Sequence, residues 1–290
     1  MNSSKLSGLL LLAALLFPVT NLAADSGQGS ILRMDHSLAE ALQKSNTEAV
    51  AGLLDADFAW TDAQGVTRDK AATLKDSSQF AADNSGDSGK AYFYRELGVA
   101  YGTHHEDWFM RVWVKRPAGW RLFVDLDTPT AREPRPEGAA RNSGSTGDCD
   151  NPCRTLPYKP TTAADKAVLA EWQKTKVDEW HPNADDWATH IADEFMIINN
   201  GSARDKATRV ALAKKEQAEG IGAPGAPILS MRMYDFGKTV VMISHHVPYQ
   251  GGKPYYNVRV FVNRDGHWPL VWSQQTTVAS EAARPPVGGS

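Results

Sequence analysis

The chain of 290 residues has only two cysteines and no surplus of positive charge, with 31 Lys and Arg against 34 Asp and Glu. Two cysteines, with no second pair or nearby histidine, do not complete a metal-ligand set. A formal charge of −3 supplies no concentrated basic patch, which removes the electrostatic case for nucleic acid. Past residue 24 no apolar run approaches the ~20 residues of a membrane span. A hydrophobic share of 42% with 22% charged residues is ordinary for a soluble globular chain and excludes collagen-like and wholly disordered classes. Length alone allows one large domain or two of about 100–150 residues.

The N-terminus is patterned differently. Lys5 precedes an apolar run over residues 9–17, Pro18 breaks it, and Leu22-Ala23-Ala24 offers a small-residue cleavage site. This is the layout of a signal peptide over residues 1–24, so an exported chain, periplasmic or secreted, is expected, with no membrane contact after cleavage. In such a compartment Cys149 and Cys153 read as a disulfide. The loop they close is so short that it acts as a local staple.

The rest of the chain is written twice. Asp57-Phe58, a short strand, Gly65 and Arg68-Asp69-Lys70-Ala71 recur as Glu194-Phe195, a short strand, Gly201 and Arg204-Asp205-Lys206-Ala207. Thr103-His104-His105 matches Ser244-His245-His246 at an offset of 141, and Arg111-Val112-Trp113-Val114 matches Arg259-Val260-Phe261-Val262 at 148. Offsets that rise in constant order mark a duplication with loop insertions. Two copies at so long a period are tandem domains, not a solenoid. Domain one is expected over residues 31–128 and domain two over 164–278. A Pro- and Gly-rich linker falls at 129–163 and a disordered tail at 279–290.

Within each copy, helical periodicity around Leu38 and Val50, or Val168 and Trp187, precedes β-like segments, which gives an α+β domain. Thr67 and the Ser202/Asp205 pair read as N-terminal caps of the helix after the first strand. The helix pair, Asp-Phe before a short strand and glycine, the capped helix and "RVWVKRPAGWRLFV" at 111–124 resemble the nuclear transport factor 2-like (cystatin-like cone) superfamily. Within it, the SnoaL-like group and its relatives of unknown function are most similar. That resemblance implies a curved antiparallel sheet wrapped around helices, twice, with an apolar pocket at each cone mouth. It also implies that the copies pair through their sheets as an intramolecular pseudo-dimer. It brings no cofactor and no diagnostic catalytic signature, and fold does not fix function.

Candidate chemistry therefore rests on individual residues. Asp125 and Asp127 share a strand face at i and i+2. Two carboxylates so placed would raise one pKa and suit proton abstraction next to a carbonyl. One histidine of the His104/His105 pair, facing the cone, would serve as the partner acid or base. In copy two Ser273 and Gln275 replace the acids, which suggests one acid-bearing site and one binding or degenerate site. Trp60, Trp113, His245, His246, Arg259, Phe261 and Gln275 are the ligand-binding candidates. For Arg111 and Arg259 an anion anchor competes with the preferred reading, a guanidinium stacked on the outer sheet or paired at the domain interface. No metal site is expected, because adjacent strand histidines diverge. Three activities stay open: binding a small apolar or aromatic ligand, acid/base isomerisation, cyclisation or dehydration, and a non-catalytic structural or interaction module.

Overall fold

A computed structural model describes residues 27–80, 89–132, 149–222, 225–248 and 253–278. The expected signal peptide, residues 133–148 of the expected linker and the expected tail lie outside the described residues. In the first copy, helices α1 (Gly27–Gln43) and α2 (Thr47–Leu53) lead into strands β1 (Leu54–Thr61) and β2 (Thr67–Asp69). Helix α3 (Lys70–Lys75) and strands β3 (Lys90–Tyr94), β4 (Leu97–His104), β5 (Asp107–Arg116) and β6 (Gly119–Pro129) follow. The second copy repeats the order with α4 (Ala163–Trp180), α5 (Ala184–Thr189), β7 (Ile191–Asn199), β8 (Ser202–Asp205) and α6 (Lys206–Ala218). It closes with β9 (Ile228–Asp235), β10 (Thr239–His246), β11 (Tyr255–Val262) and β12 (Leu270–Thr277).

Each copy folds its strands into a six-stranded sheet, in the orders β2-β1-β6-β5-β4-β3 and β8-β7-β12-β11-β10-β9. The sheets are antiparallel except where β1 meets β6 and β7 meets β12. That parallel pair is reached by the long excursion through the rest of the copy, as parallel pairing requires. Register shifts fall at the same place in both sheets, after Val112 in β5 and after Val260 in β11. Bulges of this kind bend a sheet, and here they help curl each one around its helices. The architecture is two tandem α+β cones.

Two local readings are corrected. The helix after the first strand is capped by Asp69 and Asp205, not by Thr67 and Ser202. The aspartates sit in extended backbone and accept from Ala72 N at 2.8 Å and Thr208 N at 2.9 Å. Thr67 and Ser202 instead open the short strands that pair with β1 and β7. The edge strands β3 and β9 went unread because neither alternates cleanly between buried and exposed residues. Cys149 and Cys153 are joined, and the loop they close presents Asn151 to the β9 edge. There its amide pairs with both the N–H and the C=O of Ile228, each at 2.9 Å.

The core has three parts. One fills the first cone with Ile31, Leu38, Phe58, Trp60, Phe80 and Trp113 among others. A second fills the other cone around Val168, Trp172, Trp187, Phe195 and Phe261. The third lies between the sheets, where Val112, Val114 and Leu126 meet Val258, Val260 and Trp272. Polar contacts cross the same face: Gln274 donates to Leu126 O at 2.9 Å, and Thr128 Oγ1 donates to Gln275 O at 3.0 Å. The recurring glycine of each copy serves this contact. Gly65 and Gly201 hold φ of 77° and 72°, a region open to glycine. An added Cβ would come within 2.5 Å of Thr277 O in one case and of Thr130 O in the other. Each glycine thus turns against the other copy.

Candidate functional site

Strand alternation decides what enters each cone. On β5, Arg111 and Trp113 share one face while Met110, Val112 and Val114 face the other sheet. On β11, Asn257, Arg259 and Phe261 face the cone while Val258, Val260 and Val262 face outward. Both arginines therefore lie inside the cones, which overturns the preferred placement on the outer sheet. A guanidinium in the dry, valine-rich face between the sheets would lose its hydration without a partner.

In the first cone Arg111 is clamped. Its Nε donates to Asp125 Oδ2 and its Nη1 to Asp35 Oδ2, each at 3.0 Å, and the guanidinium lies 4.4 Å from the Phe109 ring centre. Arg111 is 0% exposed, Asp125 1% and Asp35 6%. Asp127 is held by Trp60 Nε1 and by His104 Nε2, both at 2.8 Å. Burial pushes the Asp125 carboxyl up, to about 7, against the pull of Arg111. Burial disfavours the His104 cation, but the Asp127 carboxylate more than offsets this and raises its pKa. The two aspartates and His104 are thus gathered in one buried network with Arg111 and Trp60. His105 is not part of it: it is exposed at the β4–β5 turn with φ of 50°, outside the cone. Trp113 is fully buried in the first core.

The second cone keeps the arginine and loses both carboxylates. Arg259 stands opposite Ser273, as Arg111 stands opposite Asp125. Where Asp35 meets Arg111, Trp172 of α4 lies beneath Arg259, its ring centre 5.1 Å from the guanidinium. Arg259 Nη1 donates to Ser244 Oγ at 2.9 Å. Ser244 Oγ lies 2.9 Å from His246 Nε2, and His246 Nδ1 lies 2.8 Å from Ala226 O. One proton arrangement satisfies all three contacts: Nδ1–H donates to the carbonyl, and Nε2 accepts from the hydroxyl that receives the guanidinium. That arrangement requires a neutral imidazole. Burial, with Arg259 adding to it, holds the His246 pKa well below the usual histidine value. Burial also pushes Arg259 down, to about 10.

A cavity of about 230 Å³ opens onto this arginine, with Trp172, Trp187, Phe195, Tyr255, Ser273 and Gln275 in its walls. Lys176 and Arg209 reach the same cavity but are paired, with Glu179 at 2.6 Å and Glu216 at 3.1 Å. Phe261 packs in the core beside the cavity. His245 is half-buried on the opposite face, stacked on Tyr256 at 4.5 Å.

The ladder registers correct the alignment of the two copies. Ala100 pairs with Arg111 and Met242 with Arg259, so His104 corresponds to His246, and Thr103 to His245. The offset there is 142, one more than the matching triplets suggest, because parity along the strand governs which imidazole enters the cone. By the same registers Trp60 corresponds to Ile197, since they pair with Asp125 and Ser273 respectively.

One cluster was not foreseen. Glu171 Oε1 lies 2.6 Å from His190 Nδ1 and 2.5 Å from His267 Nε2, and the three ligand-type atoms fall within 4.8 Å of one another. Burial raises the Glu171 pKa, but the two imidazoles outweigh it and hold the carboxylate below its usual range. At these separations the oxygen is engaged by both rings, so the trio ties α4 to the end of α5 and to the turn before β12. Its members are 19 and 96 residues from Glu171, too scattered to form a motif.

Compared with known proteins, the chain matches no family model and no curated protein. Solved structures do match. An NTF2-like protein from Cytophaga hutchinsonii is 15% identical, covering 41% of this chain and 100% of its own, with a TM-score of 0.35. A protein with a cystatin-like fold from Caulobacter vibrioides is 14% identical, covering 41% of this chain and 92% of its own, at 0.33. The chain resembles NTF2-like proteins. An NTF2-like protein from Rhodospirillum rubrum, described as of unknown function in nutrient uptake, is 14% identical and covers 38% of this chain and 98% of its own, at 0.31. Each of these covers about two fifths of this chain.

Proposed function

We propose that this is an exported protein whose second cone binds a small organic ligand, while the first cone is a structural copy closed by its own ion pairs. The cavity at Arg259 carries this reading. Its volume of about 230 Å³ falls below the ~300–1,000 Å³ typical of pockets for drug-sized molecules, which points to a compact ligand. Trp172, Trp187, Phe195, Ile197 and Leu270 supply apolar walls, and Arg259, Asn257, Ser273 and Gln275 are among the polar groups that make up about half of the lining. The valine-rich face between the sheets supports treating the copies as an intramolecular pseudo-dimer that needs no second chain.

Acid/base isomerisation, cyclisation or dehydration would use Asp125, Asp127 and His104 as its proton-transfer groups. All three, however, are turned onto internal partners within the first core, which favours binding over catalysis. Export is supported by the leader-like pattern of residues 1–24 and by the joined cysteines, since disulfides persist in oxidising compartments. Among the described residues no helix is long and apolar enough to cross a membrane.

Native mass spectrometry of the purified protein tests both parts. A chain shortened at Ala24 and carrying a small molecule that is released on denaturation is the expected result. A chain with an unprocessed N-terminus removes the export reading. Absence of any bound molecule, with no thermal shift across a panel of small hydrophobic acids, amides and ketones, removes the binding reading.

A further inference from the structure

The copies offer an internal control. At matched ladder positions, one buried arginine has two carboxylates and the other has none. Arg111 meets Asp125 across the strand and Asp35 from the helix, and both partners belong to its own fold. Arg259 meets Ser273 across the strand and Trp172 from the helix. Its hydrogen-bond partners are Ser244 Oγ and, more distantly, Met242 Sδ at 3.9 Å. No described carboxylate lies within ion-pair reach of it. Of the other charges at the cavity, Lys176 and Arg209 pair with Glu179 and Glu216, and Asp178 lies 3.5 Å from His190; Glu179 attracts Arg259 only from beyond ion-pair distance.

A guanidinium that is 4% exposed and lacks a counter-ion is costly to keep in a core. Here it is held in place by the neutral chain from Ser244 through His246 to the Ala226 carbonyl. It also borders a cavity.

Resting on the reading of the second cone as a binding site, we infer that its ligand is a small monocarboxylate. Its anionic group seats on Arg259 in the place that Asp125 and Asp35 occupy around Arg111. One unpaired guanidinium balances one negative charge, which favours a carboxylate over a dianion such as phosphate. Trp172, Phe195 and Trp187 then enclose an apolar or aromatic body, and Ser273 and Gln275 flank the head group. The first cone carries its occupant covalently; the second takes its occupant from solution.

Calorimetric titration of the mature protein tests this with benzoate, phenylacetate and hexanoate, each against its uncharged amide. The acids should bind at least tenfold more tightly than their amides. Arg259→Met should abolish that preference. Ser273→Asp restores an internal carboxylate opposite Arg259, as in the first copy, and should lower acid affinity at least tenfold while the protein stays folded and melts no lower than wild type. The inference is overturned, with ligand binding intact, if amides bind as well as acids or if Ser273→Asp leaves acid affinity unchanged. If neither series binds and no molecule co-purifies, the binding reading fails and this inference with it.

Discussion

Replacing Arg111 with methionine removes the cation from a cluster in which Asp35, Asp125 and Asp127 are 6%, 1% and 5% exposed. Two of those carboxylates lose a charge-assisted hydrogen bond of 3.0 Å each. Breaking a buried ion pair by removing one partner typically costs ~3–5 kcal/mol, because the other charge stays buried and uncompensated. At ~2–4 °C per kcal/mol for a unit of this size, the melting temperature should fall by roughly 6–20 °C. The loss should also depend on pH. Without the guanidinium, which pulls the Asp125 pKa down, that carboxyl keeps its proton to higher pH in the folded state, while its unfolded value is unchanged. Wild-type Asp125 already gives up its contribution as pH rises toward about 7, so the variant loses more stability than wild type only above that, and the gap opens between about pH 7 and 8. Guanidinium chloride unfolding followed by tryptophan fluorescence, at pH 5 and pH 8, reads both effects. A triple variant, Arg111→Met with Asp35→Ala and Asp125→Val, replaces the whole triad by apolar groups and should recover most of the loss, since a buried triad so replaced is often near neutral. A single-variant cost below about 1 kcal/mol, or a triple variant no more stable than the single, would refute a charged, mutually compensated cluster.

Two further outcomes follow from other parts of the structure. The folded pKa of both Asp125 and His104 is raised, so their stabilising contribution is present at low pH. It is lost as pH rises through about 7 for Asp125 and through the raised value for His104. His246 is depressed, so its contribution is present above about 6.5 and is lost as pH falls below that. Hydrogen exchange, corrected for intrinsic rates, should show β4–β6 loosening toward pH 8 and β10 loosening toward pH 5; parallel trends in the two copies would contradict the assignment. Gln274 is fully buried and bridges to Leu126 O and Thr128 Oγ1 of the first copy. Gln274→Ala should cost ~1–3 kcal/mol by leaving those groups unsatisfied, and a urea midpoint indistinguishable from wild type would show that the bridge does not couple the copies.

The duplication and the order of elements were legible because strand alternation and helix periodicity are local, and both halves repeat them. The Arg-Val-Trp-Val and Arg-Val-Phe-Val segments even carry the inward and outward faces in plain view. What failed was one residue of alignment: the two His-His pairs match as letters, yet register with Arg111 and Arg259 pairs His104 with His246. The arginine environments were illegible for a different reason. Asp35 lies 76 residues from Arg111 in sequence, and nothing near either residue announces that they meet. The disparity between the cones arises from two substitutions, at the positions of Asp35 and Asp125, that look unrelated until the helix is packed into the sheet. The Glu171 trio is hidden in the same way.

The reciprocal contacts of Gly65 and Gly201 have a consequence for how the two interiors came to differ. In a homodimer related by a two-fold axis, both subunits must present the same patch, so every substitution appears twice. Here each glycine presses on the end of the other copy's last strand, which is the reciprocity of an isologous interface, written into a single chain. Covalent linkage lifts the symmetry requirement from everything behind that interface. One copy can become permanently filled and act as ballast for the shared face. The other can then keep an unpaired cation that, displayed twice, would have weakened both halves at once.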